Sequence, residues 1–287
     1  MYRNSSLITR ACVLAVGSAL CFAAPPAPFL TSAAMAGSAG GMSPAQVDAV
    51  YKITLNGFEI GTFRFNSNVA PDHYTLDTDV ELSALLGVFH WKGVTRSSGT
   101  IVASKPRPAG FLFEFESSTK SGSVKIGFDQ SGVQDVSVLP LAADPPDTVP
   151  LEAQHLKGVL DPLSAIMALT HTSGTSPCER KVSIFDGKQR FDLDLRYSRQ
   201  VAIGEGQADM AIVCRVKYVP IAGYRANEET RNMAMSTGIE IAFRPIPSAK
   251  LMLPQEVIVP TAAGTAQLSL VGVEIKSPDH GKVASVD

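Results

Sequence analysis

The sequence predicts an all-β protein, a large antiparallel β-spiral or half-barrel wrapped around one buried central helix. Three observations lead to this prediction. Segments in which apolar and polar residues alternate recur from Tyr51 onward, as expected for strands with one wet face. Roughly a dozen such segments follow at short spacing, which favours a single barrel-like or spiral sheet. Residues 160–170 break the pattern, with the composition of a helix that has no polar face.

The first half of the predicted sheet is a series of hairpins. Asn56 and Gly57 supply the first turn, because both residue types accept the positive φ that tight hairpins require. Residues 82–89 are predicted to form one or two helical turns, and residues 143–150 (ADPPDTVP) form a proline-rich loop that interrupts the sheet. The predicted strands of this half are residues 51–55, 58–65, 74–82, 90–102, 111–116, 124–128 and 133–138.

The helix is predicted from its start and its composition. Asp161 is a favourable N-cap, and Pro162 fits the first turn, where a missing N–H costs nothing. No charged residue follows before Thr170, so the helix is expected to be buried on all sides. For Ser164, inside the helix, a hydrogen bond to the carbonyl four residues earlier is the simplest expectation.

Strands resume after the helix. Asp186 and Gly187 supply a hairpin turn between the first two of them. The predicted strands of this half are residues 181–185, 188–197, 208–218, 239–243, 256–259 and 266–275.

Composition and charge exclude several classes of protein. The chain has 287 residues, of which 45% are hydrophobic, so it can bury a large core and is not a low-complexity disordered chain. Lys and Arg number 25 against 27 Asp and Glu, which excludes a strongly basic nucleic-acid-binding protein. Only four cysteines occur, which excludes a disulfide-dense small scaffold.

Residues 1–36 are predicted to be a secretory signal peptide. Arg3 and Arg10 form a basic start without an acid, and residues 11–20 (ACVLAVGSAL) form an apolar stretch of signal length. That stretch is too short to span a bilayer comfortably, so we expect no stable membrane span after signal cleavage. An uncleaved membrane anchor is the less favoured alternative. The expected localisation is the periplasm, which is an oxidising compartment.

The cleavage site defines the expected domain organisation. Small residues at Ala34 and Ala36 favour cleavage after Ala36, and cleavage nearer Ala24 is the alternative. Residues 37–48 are small and polar and are predicted to be a flexible lead-in. Residues 49–276 are then a single β-spiral domain, and residues 277–287 are a loose tail.

Two cysteines, Cys178 and Cys214, follow the predicted signal peptide. An even pair in an exported protein is most simply a disulfide, here closing a loop of about 36 residues. A redox-active or nucleophilic pair is the alternative. It is less favoured, because the spacing is not that of a CxxC motif and no histidine lies near Cys214 in sequence.

Several segments resemble an uncharacterised bacterial family, the domain of unknown function 3108. They are residues 51–65 (YKITLNGFEIGTFRF), 160–170 (LDPLSAIMALT) and 182–193 (VSIFDGKQRFDL), together with the cysteine pair. The resemblance extends over about residues 49–275. The chain is also similar, more distantly, to periplasmic envelope-integrity proteins, which form an antiparallel β-spiral around a central helix with one disulfide, and to lipoprotein carriers. This resemblance implies a binding or scaffolding role in envelope maintenance and supplies no catalytic residue.

The apolar side chains suggest a ligand-binding cleft. Aromatic residues concentrate in the first half and methionines in the second, and a curved sheet would hold more of them than one short helix needs. This surplus predicts a cleft for an acyl chain or a peptide, lined by Phe63, Trp91, Phe113 and Met167. The alternative is that these side chains only pack against the helix.

An acidic row is the most suggestive polar feature. Asp77, Asp79 and Glu81 alternate on one predicted strand, which places three carboxylates on one face, about 7 Å apart. Such a row could bind Ca²⁺ or a cationic glycan, or hold an acid/base pair. The alternative is a solvated strand face, since the glycines and further oxygen ligands of a calcium loop are absent from the sequence.

Recognisable catalytic and metal-binding motifs are absent from the sequence. The five histidines show no HExxH pattern and none pair at i+2 or i+4, so we expect no metal site. There is no GxSxG, Walker or GxGxxG motif, so we expect neither a cofactor nor an enzyme.

The sequence therefore suggests an exported, periplasmic, non-enzymatic protein that supports cell-envelope integrity. Its expected partner is a lipid, a cell-wall component or an envelope protein, and not a nucleic acid. A soluble carrier of lipid or lipoprotein acyl chains is one alternative. A hydrolase that uses the acidic strand face is another.

Overall fold

A computed structural model of the protein describes residues 45–84, 89–171, 176–203, 210–277 and 281–286. The predicted signal peptide and its cleavage site lie outside these ranges. Within them, no helix is both long and apolar enough to cross a membrane.

Strands account for most of the described chain, and all neighbouring strands are antiparallel. The all-β prediction is therefore confirmed. The strands are β1 (Ala45–Leu55), β2 (Phe58–Val69), β3 (His73–Ala84), β4 (Phe89–Val102), β5 (Lys105–Ser117), β6 (Ser121–Phe128), β7 (Val133–Leu139), β8 (Arg180–Phe185), β9 (Arg190–Ala202), β10 (Met210–Ala222), β11 (Glu240–Ile246), β12 (Leu251–Thr261), β13 (Gly264–Ser277) and β14 (Gly281–Val286). The helices are α1 (Pro162–Thr170) and α2 (Glu228–Met235), with short 3-10 turns at Ala153–Leu156 and Pro247–Ala249.

The sheet consists of two meanders joined by one long-range pairing. Strands β1 to β7 lie side by side in chain order, and so do β8 to β13. β1 pairs with β13, which joins the two meanders, and β14 adds a further pairing to β13. The path of paired strands is open, with β7 at one end and β8 at the other.

Tight turns allow the meanders to form. The predicted turn at Asn56 and Gly57 has φ values of 50° and 84°, the left-handed conformation that a two-residue hairpin of matching twist requires. Ala103 and Ser104 adopt the same conformation between β4 and β5, with φ values of 49° and 61°. Neither Ala nor Ser is a usual residue at such a turn, so sequence alone does not indicate its type.

The predicted alternation of burial is observed on β3. Tyr74, Leu76 and Thr78 are buried, whereas Thr75 and Asp79 are exposed. A strand turns successive side chains to opposite faces, so one face of β3 belongs to the core and the other to solvent.

Helix α1 packs against strands of both meanders. It contacts β4 and β5 of the first and β8 and β12 of the second. Asp161 caps it as predicted, since its side chain accepts hydrogen bonds from the N–H groups of Leu163 and Ser164. Five of the nine helical residues are buried: Leu163, Ser164, Ala165, Met167 and Leu169.

The connection between β7 and β8 crosses from one end of the sheet path to the other. Its proline-rich part is held by backbone hydrogen bonds: Ala226 N–H donates to the carbonyl of Asp147, and Val149 exchanges two bonds with residues 223–224. The connection then pairs with β8 through Leu160 before it enters α1. These bonds give partners to backbone N–H and C=O groups of the connection and fix its course.

Both ends of the domain differ from the prediction. β1 begins at Ala45, inside the predicted lead-in of residues 37–48, because Ala45 and Val47 are small apolar side chains that pack in the core. Residues 281–286 form β14, although residues 277–287 are a loose tail in the prediction. Short segments of small or polar residues do not show a strand pattern, and here pairing makes them strands, β14 with β13 and the start of β1 with β2 and β13.

Two helical features also differ. Residues 82–84 and Phe89 belong to strands, where helical turns are predicted for residues 82–89; the rest of that segment lies outside the described residues.

Helix α2 is not predicted from the sequence. It is short and exposed, but its start carries a signal: Asn227 accepts a hydrogen bond from the N–H of Thr230, and Glu228 and Glu229 follow in the first turn.

Candidate functional site

An apolar cavity of about 320 Å³ lies inside the domain. The buried apolar side chains form separate clusters, and members of three of these clusters line this one cavity. Tyr51 comes from the cluster around β1, Phe243 from the cluster around the disulfide, and Met167 from the cluster around β3 and β5. We call this space the apolar cavity.

Strands from both meanders and helix α1 form its walls. β1 and β2 contribute Val47, Tyr51, Phe63, Phe65 and Ser67; α1 and its ends contribute Pro162, Ala165, Ile166, Met167, Leu169, Thr170 and His171; β8 to β13 contribute Ile184, Leu193, Ile241, Phe243, Leu251, Met252, Leu253, Pro254, Val257 and Leu268. Because successive residues of a strand face opposite sides of the sheet, a cavity between one sheet face and a helix collects mainly apolar side chains.

The polar groups of the apolar cavity are uncharged. The hydroxyl of Tyr51 donates to the carbonyl of Pro254 at 2.9 Å, and burial raises the pKa of Tyr51, so the ring stays neutral. Thr170 donates to the carbonyl of Met167. Burial lowers the pKa of His171 to about 4, so its imidazole is neutral at pH 7. None of the described residues that line this cavity is Asp, Glu, Lys or Arg.

The four residues predicted to line a cleft fall into two groups. Phe63 and Met167 line the apolar cavity. Trp91 and Phe113 are not among its lining residues. They stack with Phe115 across β4 and β5, with ring centroids 5.8 to 6.3 Å apart. Sequence alone does not separate the groups, because a local pattern does not show which other strands a side chain meets across the fold.

A second cavity, of about 700 Å³, borders the same helix. It lies among the β4–β5 turn, the β6–β7 turn, β8 and the end of α1. Its charged lining residues are Lys105, Arg107, Asp129, Arg180 and Lys181, and His171 lines both cavities. We call this second space the basic cavity.

A buried polar network lies at the start of α1. The carboxylate of Asp161 accepts four hydrogen bonds, two from N–H groups, one from Ser164 Oγ at 2.5 Å and one from Ser97 Oγ at 3.0 Å. Ser164 Oγ also lies 2.7 Å from the hydroxyl of Tyr74. The expectation that Ser164 binds the carbonyl four residues earlier is thus wrong. Because the partners come from β3 and β4, far away in sequence, no local pattern indicates them.

Burial raises the pKa of Asp161, although the hydrogen bonds it accepts act in the opposite direction. Burial also raises the pKa of Tyr74. The network holds an acid, two hydroxyls and a phenol, and it is sealed inside the core, since Asp161 and Ser164 are 0% exposed. We therefore assign it to the stability of α1 rather than to chemistry on a ligand.

The predicted disulfide between Cys178 and Cys214 is confirmed. The Cα atoms are 5.4 Å apart, and both residues are buried in the cluster shared by β8, β9 and β10. Cys178 lies two residues before the start of β8, and Cys214 lies in β10. Strand β9 lies between β8 and β10 in the sheet. The disulfide therefore fastens a three-stranded part of the sheet together.

The acidic row lies opposite basic residues. Glu81 forms an ion pair with Lys92 at 3.1 Å, and Asp77 forms one with Arg96 at 3.4 Å, both across the β3–β4 pair. Asp79 lies opposite Arg64 of β2 in the register. Within the described part of the chain, no group of three or more His, Cys, Asp or Glu side chains could hold a metal ion.

Comparisons with known proteins agree with this fold. No curated protein matches the chain. A solved structure, a β-barrel-like protein of domain of unknown function DUF1849 from Brucella abortus, is similar in fold, with a TM-score of 0.50 and 12% identity over 82% of this chain and 99% of that one. The family model described as protein of unknown function (DUF3108) matches residues 50–253, which is most of the chain. The chain therefore belongs to the DUF3108 family.

Proposed function

We propose that this protein binds the hydrocarbon chain of a lipid in the apolar cavity, as an exported, non-enzymatic protein of the periplasm that supports cell-envelope integrity. The observation that carries the proposal is the position of the cavity. It lies where three clusters of the core would otherwise pack together, so the fold leaves open the place where a compact core would be filled.

The proposal includes a particular shape of the sheet. We propose that the two meanders curve as a half-barrel around α1, so that the helix forms one wall of the cavity. The contacts of α1 with β4 and β5 on one side and β8 and β12 on the other support this shape. The approach of the β8–β9 turn to β6 supports it too, since a Cβ added at Gly187 would meet Val124 at 2.2 Å.

The lining favours a hydrocarbon chain over the other expected ligands. A cavity of about 320 Å³ lies at the lower end of the range for small-molecule sites, roughly 300 to 1,000 Å³. A glycan or a peptide carries many polar groups, and each costs free energy when it is buried without a partner. A lipid chain has none, so the neutral apolar lining suits it best.

A fluorescent-probe binding assay tests the proposal. The protein is stripped of lipid by refolding from denaturant and titrated with the uncharged fluorescent probe N-phenylnaphthylamine. Leu268→Trp places a large side chain in the cavity, and Leu141→Trp is the matched control, because Leu141 is 89% exposed. We expect wild type and Leu141→Trp to bind the probe and Leu268→Trp to bind it at least tenfold more weakly, roughly the effect of losing 1.4 kcal/mol.

Equal probe binding by all three proteins would contradict the proposal, provided that circular dichroism shows Leu268→Trp to be folded. Native mass spectrometry of protein taken from its own cells gives an independent result. We expect a mass increment that corresponds to bound lipid in wild type and no increment in Leu268→Trp.

Export is tested by the mass of the mature chain. We expect protein isolated from the periplasm to begin at Gly37, after cleavage of residues 1–36. A chain that still begins at Met1 would contradict the proposed signal peptide. Transfer of lipid between donor and acceptor vesicles distinguishes a soluble carrier from a protein that holds its lipid permanently.

A further inference from the structure

The basic cavity concentrates positive charge in a chain that carries a net charge of −2. Lys105 and Arg107 project from the start of β5, and Arg180 and Lys181 from the start of β8. Among the described residues that line the basic cavity, Asp129 is the one acidic side chain. Its carboxylate is occupied by hydrogen bonds from Ser131, Gly132 and Gln134 within the β6–β7 turn.

The four cations differ in how far they are already engaged. Lys181 lies 2.8 Å from the carboxylate of Asp192. Arg180 donates to the carbonyl of Ala168 at 2.8 Å, which holds its guanidinium at the end of α1. Burial lowers the pKa of Arg180, but a guanidinium remains charged at neutral pH. Lys105 and Arg107 are exposed at the rim, where they can move towards an anion.

The basic cavity and the apolar cavity lie on two sides of the same helical turn. Ala168 lines the basic cavity, while its neighbour Leu169 lines the apolar one, and His171 lines both. Strand β8 also borders both cavities, because Ser183 lines the basic cavity and the next residue, Ile184, lines the apolar one. A single molecule with a polar end and an apolar end can therefore contact both spaces around the last turn of α1.

We propose that the ligand is an anionic amphiphile, whose carboxylate or phosphate group lies in the basic cavity while its chain occupies the apolar cavity. Lys105 and Arg107 supply the attraction to the anion, and Arg180, held by Ala168, supplies a planar donor group for its oxygens. This inference rests on the proposed function, since it names the headgroup of the lipid that the apolar cavity holds.

Ligands with one chain and different heads test this inference. Dodecyl phosphate, dodecanol and dodecyltrimethylammonium are each titrated into lipid-free protein loaded with N-phenylnaphthylamine at low ionic strength, and displacement of the probe is measured. We expect dodecyl phosphate to bind about tenfold more tightly than dodecanol, and the cationic ligand to bind most weakly. Added salt should narrow these differences, because it screens exposed charges.

A double substitution locates the anion. Lys105→Ser with Arg107→Ser should weaken binding of dodecyl phosphate about tenfold, or about threefold per exposed cation, and leave dodecanol unchanged. The matched control is Arg64→Ser with Lys217→Ser, because these cations are also exposed but lie outside both cavities. The control should keep the wild-type preference for the phosphate.

The possible outcomes separate the two proposals. If dodecanol and dodecyl phosphate bind equally well, the anionic headgroup is refuted while lipid binding stands. If no ligand displaces the probe, or the probe itself does not bind, lipid binding is refuted as well. Inorganic phosphate is the final control. We expect it not to bind the protein at the concentrations at which dodecyl phosphate binds. Equal affinity for free phosphate would show that the basic cavity takes a free anion, and would overturn the amphiphile.

Discussion

At the scale of single residues, Asp161 joins the start of α1 to the first meander. Its side chain is 0% exposed and accepts hydrogen bonds from the helix N-terminus and from Ser97 of β4. Asp161→Ala removes the cap and leaves buried hydroxyls without their acceptor. We expect a loss of about 2 to 3 kcal/mol in the free energy of unfolding, measured by urea denaturation. Asp161→Asn keeps an acceptor for the cap and should lose clearly less.

The pH dependence of Asp161 has a definite sign. Because burial raises its pKa above the unfolded value of about 3.9, the folded protein holds the proton more tightly than the unfolded chain. The contribution of Asp161 to stability is therefore full below pH 3.9 and falls as pH rises through the folded pKa. Relative to Asp161→Asn, wild type should become less stable across that window. If wild type instead became more stable relative to Asp161→Asn as pH rises, the result would contradict the argument that burial raises the pKa of Asp161.

Asp192 is a buried carboxylate of the opposite kind. Burial on its own raises the pKa of Asp192, but hydrogen bonds from Lys181, Ser183 and Arg190 outweigh this effect and lower it. The Arg190 guanidinium is only 11% exposed and lies 2.7 Å from the carboxylate. Asp192→Ala should cost about 3 kcal/mol, because it leaves a buried cation without its partner. Asp194→Ala, on the same strand but with an exposed partner, should cost much less.

The same residue predicts acid sensitivity. A lowered pKa means that the contribution of Asp192 is present above the unfolded value of about 3.9 and is lost as pH falls through the folded pKa. The stability difference between wild type and Asp192→Asn should therefore shrink below about pH 4. A difference that stays constant down to pH 2 would show that the ion pairs do not stabilise the fold.

At the scale of elements, the disulfide constrains β8, β9 and β10. It closes a 36-residue separation, for which the chain-entropy model gives about 3 to 4 kcal/mol. The double variant Cys178→Ala and Cys214→Ala should lose about this amount of free energy of unfolding. A reducing agent should lower the free energy of unfolding of wild type by the same amount and leave that of the double variant unchanged. Free thiols at Cys178 and Cys214 in the oxidised protein would contradict the bridge.

The elements also show how far a sequence pattern reaches. The strands with strict alternation, such as β3, and the capped helix α1 are predictable, because their signals lie within about ten residues. β14 and the start of β1 are not, because their small residues become strands only by pairing, β14 with β13 and the start of β1 with both β2 and β13. Helix α2 is marked by Asn227 and two glutamates, a cap signal that is weak without an apolar face beside it.

At the scale of the whole molecule, ligand binding and stability are linked. A ligand that binds only the folded protein stabilises it by about 2.7 kcal/mol at 100 times its Kd. Thermal unfolding of lipid-free wild type should therefore shift upward with added dodecyl phosphate. Leu268→Trp should show no shift, because its cavity is filled, and Leu141→Trp should behave as wild type. A shift of the same size in Leu268→Trp would place the ligand elsewhere on the protein.

The apolar cavity is a property of the whole molecule that no segment contains. Phe63 and Met167 were predictable as buried residues, and their side chains line this space; Trp91 and Phe113 were equally predictable and lie outside it. The basic cavity was not predicted at all, because its cations come from β5 and β8, which belong to different meanders.

The sequence by itself determined the alternating strands, the capped helix and the pairing of the two cysteines, because each depends on local periodicity, on neighbouring residues or on counting. Only the tertiary structure decided where the inner faces meet. The hydroxyl of Tyr51 binds a carbonyl 203 residues away, and β1 pairs with β13 from the far end of the chain. Both cavities depend on these long-range pairings, whose partners no local pattern specifies.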